Sequence, residues 1–157
     1  MRQDRGLLII LGLIASLIVV SLVLFFVRKD DQQAYQPENT SKDVVHNYVL
    51  ALHQGDYQRA YSYLQDADEK PTFVQFQQNF FENSWALENS SAHIEPGDET
   101  GDEAFVAITI THNSSGPFEQ PWYENGSAWL VKQDGKWKIA YAPSPYWGWD
   151  WYNKVRR

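Results

Sequence analysis

The chain has no cysteine among its 157 residues, and it has only four histidines. Without thiols there are no disulfides, no thiolate zinc sites, no cysteine nucleophiles and no lipid attachment through a cysteine. His46 and His53 are seven residues apart, about 10 Å along a helix, which is too far for both to hold one ion. His93 and His112 lack a third ligand at suitable spacing. We therefore expect no metal ion and no cofactor.

Basic residues are scarce beyond the first thirty positions. Residues 30–157 contain nine basic and nineteen acidic residues, which gives a net charge of −10. A surface of this sign repels the phosphates of nucleic acids, so we predict no nucleic-acid partner. The chain is 43% apolar and 15% aromatic, which is enough for one domain of ordinary size with a hydrophobic core.

One long run lacks charge altogether. Residues 6–27, GLLIILGLIASLIVVSLVLFFV, would span roughly 33 Å as a helix, enough to cross a bilayer. The run is longer than the roughly 7–15 apolar residues of a cleaved signal peptide, which favours an uncleaved anchor. We predict a membrane anchor over residues 1–29, with a transmembrane helix at 6–27, and a polar linker at 30–40. The protein would be a single-pass protein of the cytoplasmic membrane. Basic residues tie on the two sides, and the short N-terminal tail favours a C-terminal domain outside the cytoplasm.

Helical signals follow the linker. Thr40–Asp43 has the form of a capping box, and Gly55 is placed to end the first helix. Asp56 is a suitable cap for a second helix, and a third helix is predicted from Thr72 to about Asn83. Apolar residues at helical spacing on the first helix are Val45, Tyr48, Val49 and Leu52.

The apolar period then changes to two, which is typical of strands. EAFVAITITH alternates along one strand, and the Asp134-Gly135 pair predicts a hairpin between two more. In the last strand the alternation places Trp137, Ile139 and Tyr141 on one side. A weaker strand is predicted from Ala86 to Glu95. The predicted fold is α+β, with three helices packed on a curved antiparallel sheet of about four strands.

Residues 41–146 resemble the nuclear transport factor 2-like (cystatin-like cone) superfamily. The resemblance rests on VVHNYVLALHQGDYQRAYSYL, then a Phe-rich helix, then DGKWKIAYAPS. The motif order is similar to that of the small N-terminal domain of class B penicillin-binding proteins, and these 157 residues contain no counterpart of the transpeptidase domain. The resemblance implies a cone-shaped domain with a pocket between helices and sheet, which in some members is an isomerase active site.

No Asp or Glu stands in mid-strand between apolar neighbours, so we predict no catalytic residue and no enzyme activity. The favoured function is a non-catalytic ligand-binding or protein-interaction module of the bacterial cell envelope. The alternatives are an isomerase-like or hydrolase-like enzyme of the same fold and a structural spacer bound to a partner membrane protein. The candidate pocket residues are Tyr48, Tyr61, Trp85, Trp122, Tyr123 and Trp129.

The tail, residues 147–157, is unusually aromatic for a chain terminus. Trp147, Trp149 and Trp151 fall at every second position, so an extended segment would place them on one face. Three interpretations remain open: the rings close the core, lie at a membrane interface, or form a ligand platform, for example for a glycan. The basic residues that would accompany a membrane interface are Lys154, Arg156 and Arg157.

Overall fold

The computed structural model describes residues 10–23, 34–113, 116 and 120–152. The chain divides into two compact units, Met1–Ala34 and Tyr35–Arg157. The described part of the first unit is a single helix, α1, at residues 10–23.

The predicted transmembrane helix needs correction. The described residues contain no helix that is both long enough and apolar enough to cross a membrane. The remainder of the predicted span, 6–9 and 24–27, lies outside the described residues. The predictions of a transmembrane helix and of a single-pass location in the cytoplasmic membrane are therefore wrong.

The helices of the second unit are α2 Ser41–His53, α3 Tyr57–Ser62, α4 Phe73–Glu82 and α5 Ser84–Glu88. Two of them begin at the caps predicted for them, α2 at Thr40 and α3 at Asp56, and α4 begins after Thr72, where a helix was predicted to start. Thr40 and Asp43 form the predicted capping box of α2, and Thr72 forms a second one with Gln75 on α4. The side chain of Asp56 accepts a hydrogen bond from the Arg59 N–H at the start of α3. Gly55 has a φ of 71°, the left-handed conformation that glycine adopts at low cost.

One antiparallel sheet forms the other layer. Its strands are β1 Ser90–Ile94, β2 Asp98–Thr100, β3 Glu103–His112, β4 Trp122–Gln133 and β5 Lys136–Tyr141. They lie in the order β1-β3-β4-β5, and β2 pairs with the remaining part of β3. Asp134 and Gly135 have φ values of 52° and 76°, the positive values that the predicted β4–β5 turn requires.

The core lies between the helices and one face of the sheet. Alternate residues of β3, from Ala104 to Ile110, are buried there, and Leu130 and Ile139 continue the same face on β4 and β5. Helix α2 supplies Val45, Tyr48, Val49 and Leu52, as its spacing predicted. The α+β class and the antiparallel sheet are thus as predicted.

The number of elements was underestimated. Four helices and five strands are present in the described part of the second unit, where three helices and about four strands were predicted. The segment predicted as a strand from Ala86 splits, because α5 continues to Glu88 and the strand begins only at Ser90. The three-residue β2 is exposed throughout, so it has no alternation of apolar residues that could reveal it.

Candidate functional site: an aromatic cavity beside the last strand

A cavity of about 710 Å³ lies beside the end of β5. Six aromatic side chains line it, together with three alanines, Gln65 and Ser144. The aromatic residues are Trp129, Tyr141, Trp147, Trp149, Trp151 and Tyr152. Among the described residues of this lining there is no Asp, Glu, His, Lys or Arg, so the wall is uncharged.

The tail supplies four of the six aromatic side chains of this wall, and it turns instead of extending. The Tyr146 N–H bonds to the Pro143 carbonyl, and the Trp151 N–H bonds to the Gly148 carbonyl. Because of these turns, the three tail tryptophans lie in different environments. Trp151 is 8% exposed, Trp147 is partly buried and Trp149 is 88% exposed. The extended segment with three rings on one face, considered from the sequence, is not what forms.

Ring contacts hold the wall in place. Trp151 stacks on Phe76 of α4 with ring centroids 5.3 Å apart, and it meets Phe80 edge-on. Trp147 stacks on Tyr152 at 5.6 Å and lies 6.0 Å from Tyr141. Such offset and edge-on pairs add to the effect of burial, by about 0.5–1.5 kcal/mol per pair. Trp151 thus joins the wall to the helices.

Tyr146 anchors the start of the tail inside the core. It is fully buried, and its carbonyl accepts a 2.7 Å hydrogen bond from the Tyr48 hydroxyl. Its own hydroxyl lies 3.3 Å from both His53 Nε2 and Ser90 Oγ. Burial raises the pKa of Tyr146 and raises the pKa of Tyr48 well above its ordinary value, so both phenols stay neutral at pH 7.

The far side of the wall is fixed by Tyr152. Its hydroxyl donates a 2.6 Å hydrogen bond to the Gln65 carbonyl, between α3 and α4. Burial is the main cause that raises the pKa of Tyr152, with a smaller contribution from the Asp66 carboxylate. The neighbouring residue Leu64 forms a parallel bridge with Ile139 of β5, so this segment also covers the edge of the sheet.

An irregularity in the sheet brings Tyr141 to the cavity. The β4–β5 pairing shifts between Trp129 and Leu130: Leu130 pairs with Ile139, but Trp129 pairs with Tyr141. Ala140 is therefore an extra residue, and Tyr141 emerges on the opposite face from Ile139. Simple alternation placed Tyr141 with Trp137 and Ile139, and that prediction is wrong because of this bulge.

The predicted pocket residues fall into separate places. Trp129 lines the cavity. Tyr48 lies in the core, and Tyr61 packs against Phe76 with its hydroxyl bonded to the Pro71 carbonyl. Trp85 is exposed on α5.

The predicted rim residues lie at the other end of β4 from the cavity. Trp122 stacks on His112 at a centroid distance of 3.8 Å, and Tyr123 is exposed beside it. Of the tail residues, Trp147, Trp149 and Trp151 line the cavity together, whereas Lys154, Arg156 and Arg157 lie outside the described residues.

Several lining residues were not foreseen. Gln65, Ala67, Ala142 and Ser144 are small or polar residues in connections, where no periodic signal marks them. Tyr152 carried a usable signal, because it continues the aromatic cluster of the tail. The contact between Gln65 and Tyr152 joins residues 87 positions apart, and no local pattern encodes such a contact.

Comparison with solved structures supports the fold. A SEC-C motif containing protein from Rhodopseudomonas palustris is 11% identical, with 68% of this chain and 79% of that chain covered and a TM-score of 0.50. A protein from Campylobacter jejuni named as an NTF2-like transpeptidase is 24% identical, covering 64% of this chain and 96% of that one, with a TM-score of 0.46. A cystatin fold protein from Novosphingobium aromaticivorans is 11% identical over 66% and 98% of the two chains, with a TM-score of 0.45.

The structural neighbours include proteins that are named as NTF2-like and as cystatin-fold proteins. At these identities the likeness concerns the fold alone, and no activity follows from it. No protein-family model matches the sequence, and no curated protein matches it either.

Proposed function

We propose that the second unit is a non-catalytic domain that binds a small ligand in the aromatic cavity. One observation carries the proposal: six aromatic side chains, from the sheet and the tail, surround a space of about 710 Å³. Ligand sites of folded proteins are typically concave spaces of about 300–1,000 Å³ with mainly apolar and aromatic walls.

The wall is largely ordered before any ligand arrives. Trp151 is held by Phe76 and Phe80, and Tyr152 is held by its hydrogen bond to the Gln65 carbonyl. Side chains that are already fixed lose little entropy on binding, which favours affinity. Trp149, which is mostly exposed, is the ring with the most area left for a ligand to cover.

The lining supports binding without chemistry. General acid–base catalysis needs a titratable group within hydrogen-bond reach of the substrate. The described lining contains no carboxylate, imidazole or amine, and its titratable groups are the phenols of Tyr141 and Tyr152, of which Tyr152 is bonded to the Gln65 carbonyl. An isomerase-like enzyme of this fold would use an ionisable residue beside a tyrosine. The nearest such pair is His53 and Tyr146, with His53 Nε2 3.3 Å from Tyr146 Oη. However, Tyr146 is fully enclosed, so a substrate has no access to that hydroxyl.

The proposal is tested by screening a library of small uncharged compounds by calorimetry and comparing two variants. Trp149→Ala removes an exposed ring of the cavity, and Trp85→Ala removes an exposed ring on α5 as the matched control. We expect hits whose affinity falls about tenfold, or 1.4 kcal/mol, in Trp149→Ala and is unchanged in Trp85→Ala. Hits that respond equally to both changes, or a screen without hits, would contradict a ligand site here.

A further inference from the structure

Four neighbouring residue pairs on the outer face of the two central strands are uncharged, while Glu103 continues this face at one end and Asp98 of β2 pairs with Phe105. These registered pairs of β3 and β4 lie opposite the buried core residues. The pairs are Phe105–Trp129, Ala107–Ser127, Thr109–Asn125 and Thr111–Tyr123. These four pairs place aromatic, hydroxyl and amide side chains together on one face of the sheet.

This face is continuous with the cavity. Trp129 belongs to both, since it lines the cavity and pairs with Phe105 on one side and Tyr141 on the other. The ring of Trp147 lies 6.0 Å beyond that of Tyr141. Because neighbouring strands are about 4.8 Å apart, the aromatic row from Phe105 to Trp147 extends over roughly 15 Å. The row is long and narrow, which suits an elongated ligand.

We infer that the ligand is an uncharged oligosaccharide, with its first units in the cavity and the following units on Trp129 and Phe105. This inference rests on the proposed function of the cavity. Pyranose rings present apolar C–H faces, which pack on aromatic rings, and hydroxyl groups at their edges. Ser127 supplies an uncharged donor and acceptor two residues from Trp129 on the same face, and the Thr109–Asn125 pair lies two residues further along the strands.

An anionic ligand fits this surface poorly. A phosphate or carboxylate would lose its hydration without gaining a counter-charge from the described lining, which is costly. The net charge of −10 over residues 30–157 adds repulsion for anions.

A peptide is also disfavoured. A peptide that adds a strand needs a sheet edge, but the row crosses the face of the sheet. A polyproline II peptide repeats every three residues, or roughly 9 Å, which is about twice the spacing of the strands that carry the row.

The test uses the full chain and a series of uncharged oligosaccharides of one to six units, cello-oligosaccharides and chito-oligosaccharides, with affinity measured by calorimetry. We expect affinity to rise with the number of units. Phe105→Ala should lower the affinity for the hexasaccharide about tenfold and leave that for the disaccharide unchanged. The matched control is Phe81→Ala, since Phe81 is an exposed phenylalanine on α4, and it should change neither affinity.

Three results would overturn this inference while the ligand site itself survives. The first is a failure of the length test: the disaccharide and the hexasaccharide bind with equal affinity, or Phe105→Ala and Phe81→Ala change the hexasaccharide affinity equally. Another is that no oligosaccharide binds although compounds from the uncharged library bind in a Trp149-dependent way. The third is tighter binding of a proline-rich peptide to the same row. If neither the library nor the oligosaccharides bind, the proposed function fails together with the inference.

Discussion

At the scale of single residues, two tail tryptophans only two positions apart have opposite surroundings. Trp151 is 8% exposed and packs against Phe76 and Phe80, whereas Trp149 is 88% exposed. We expect Trp151→Ala to lower the free energy of unfolding by about 3–5 kcal/mol, because it leaves a cavity in the core. Trp149→Ala should change it by no more than about 0.5 kcal/mol.

Urea denaturation of both variants at pH 7 checks this difference. Equal losses for Trp149→Ala and Trp151→Ala would contradict the described tail, in which turns place the two rings in different environments.

A second residue prediction concerns alkaline pH. Burial raises the pKa of Tyr48 well above its ordinary value, so the folded state keeps this proton to a higher pH than the unfolded chain does. Stability is therefore fully present below about pH 10 and falls as the pH rises further. Tyr48→Phe removes one such proton, and the loss of unfolding free energy per pH unit above pH 10 should become smaller by up to about 1.4 kcal/mol.

The same variant also loses the hydrogen bond to the Tyr146 carbonyl, which should cost about 1 kcal/mol at pH 7. Denaturation curves between pH 7 and 11.5 separate the two effects. Tyr146 and Tyr152, whose pKa values burial also raises, keep part of the alkaline slope in the variant. If the unfolding free energy fell equally steeply with pH above pH 10 in the wild type and in Tyr48→Phe, the Tyr48 phenol would not be enclosed as described.

At the scale of elements, the turn that builds the cavity wall depends on Gly148. A methyl group on its Cα would overlap the indole ring of Trp151. We expect Gly148→Ala to lower the free energy of unfolding by about 1–3 kcal/mol, because Trp151 must move from its place against α4. Near-ultraviolet circular dichroism should change as well, since it reports the packing of aromatic rings.

A double variant isolates the cause. In a Trp151→Leu background the ring is gone, so adding Gly148→Ala should cost much less than it does in the wild type. The same cost in both backgrounds would show that the glycine is needed for backbone conformation and not for the close approach of the indole.

Most elements were predictable because their signals are local. The caps at Thr40, Asp56 and Thr72 and the turn at Asp134 act over three or four residues, and the structure has each of them. The bulge at Ala140 was not predictable, because KWKIAY alternates without interruption. Only the pairing with β4 reveals that Tyr141 changes face.

At the scale of the whole molecule, the order of helical and strand patterns predicted the α+β class, whereas the apolar run was misjudged. Residues 6–27 are apolar over a length that would cross a membrane, yet the described residues contain no helix that is long and apolar enough to do so. The resemblance to the nuclear transport factor 2-like superfamily rested on the order of elements, and the structure has helices followed by an antiparallel sheet in that order.

The candidate site was only partly predictable for a related reason. The tryptophans were conspicuous in the sequence, and Trp129, Trp147, Trp149 and Trp151 do meet at one cavity. The cavity itself depends on contacts between distant segments, such as Tyr152 with Gln65 and Trp151 with Phe76. Such contacts are set by tertiary packing, which a periodic pattern does not encode.

The seven tryptophans provide the most direct test of the central claim, that the aromatic cavity is a ligand site. Each indole N–H gives its own signal in a ¹H–¹⁵N spectrum, and four of the seven tryptophans line the cavity. On titration with a hit from the uncharged library, we expect shifts for Trp129, Trp147, Trp149 and Trp151. The signals of Trp85, Trp122 and Trp137 should remain in place. Shifts confined to those three, or equal shifts in all seven, would contradict the claim.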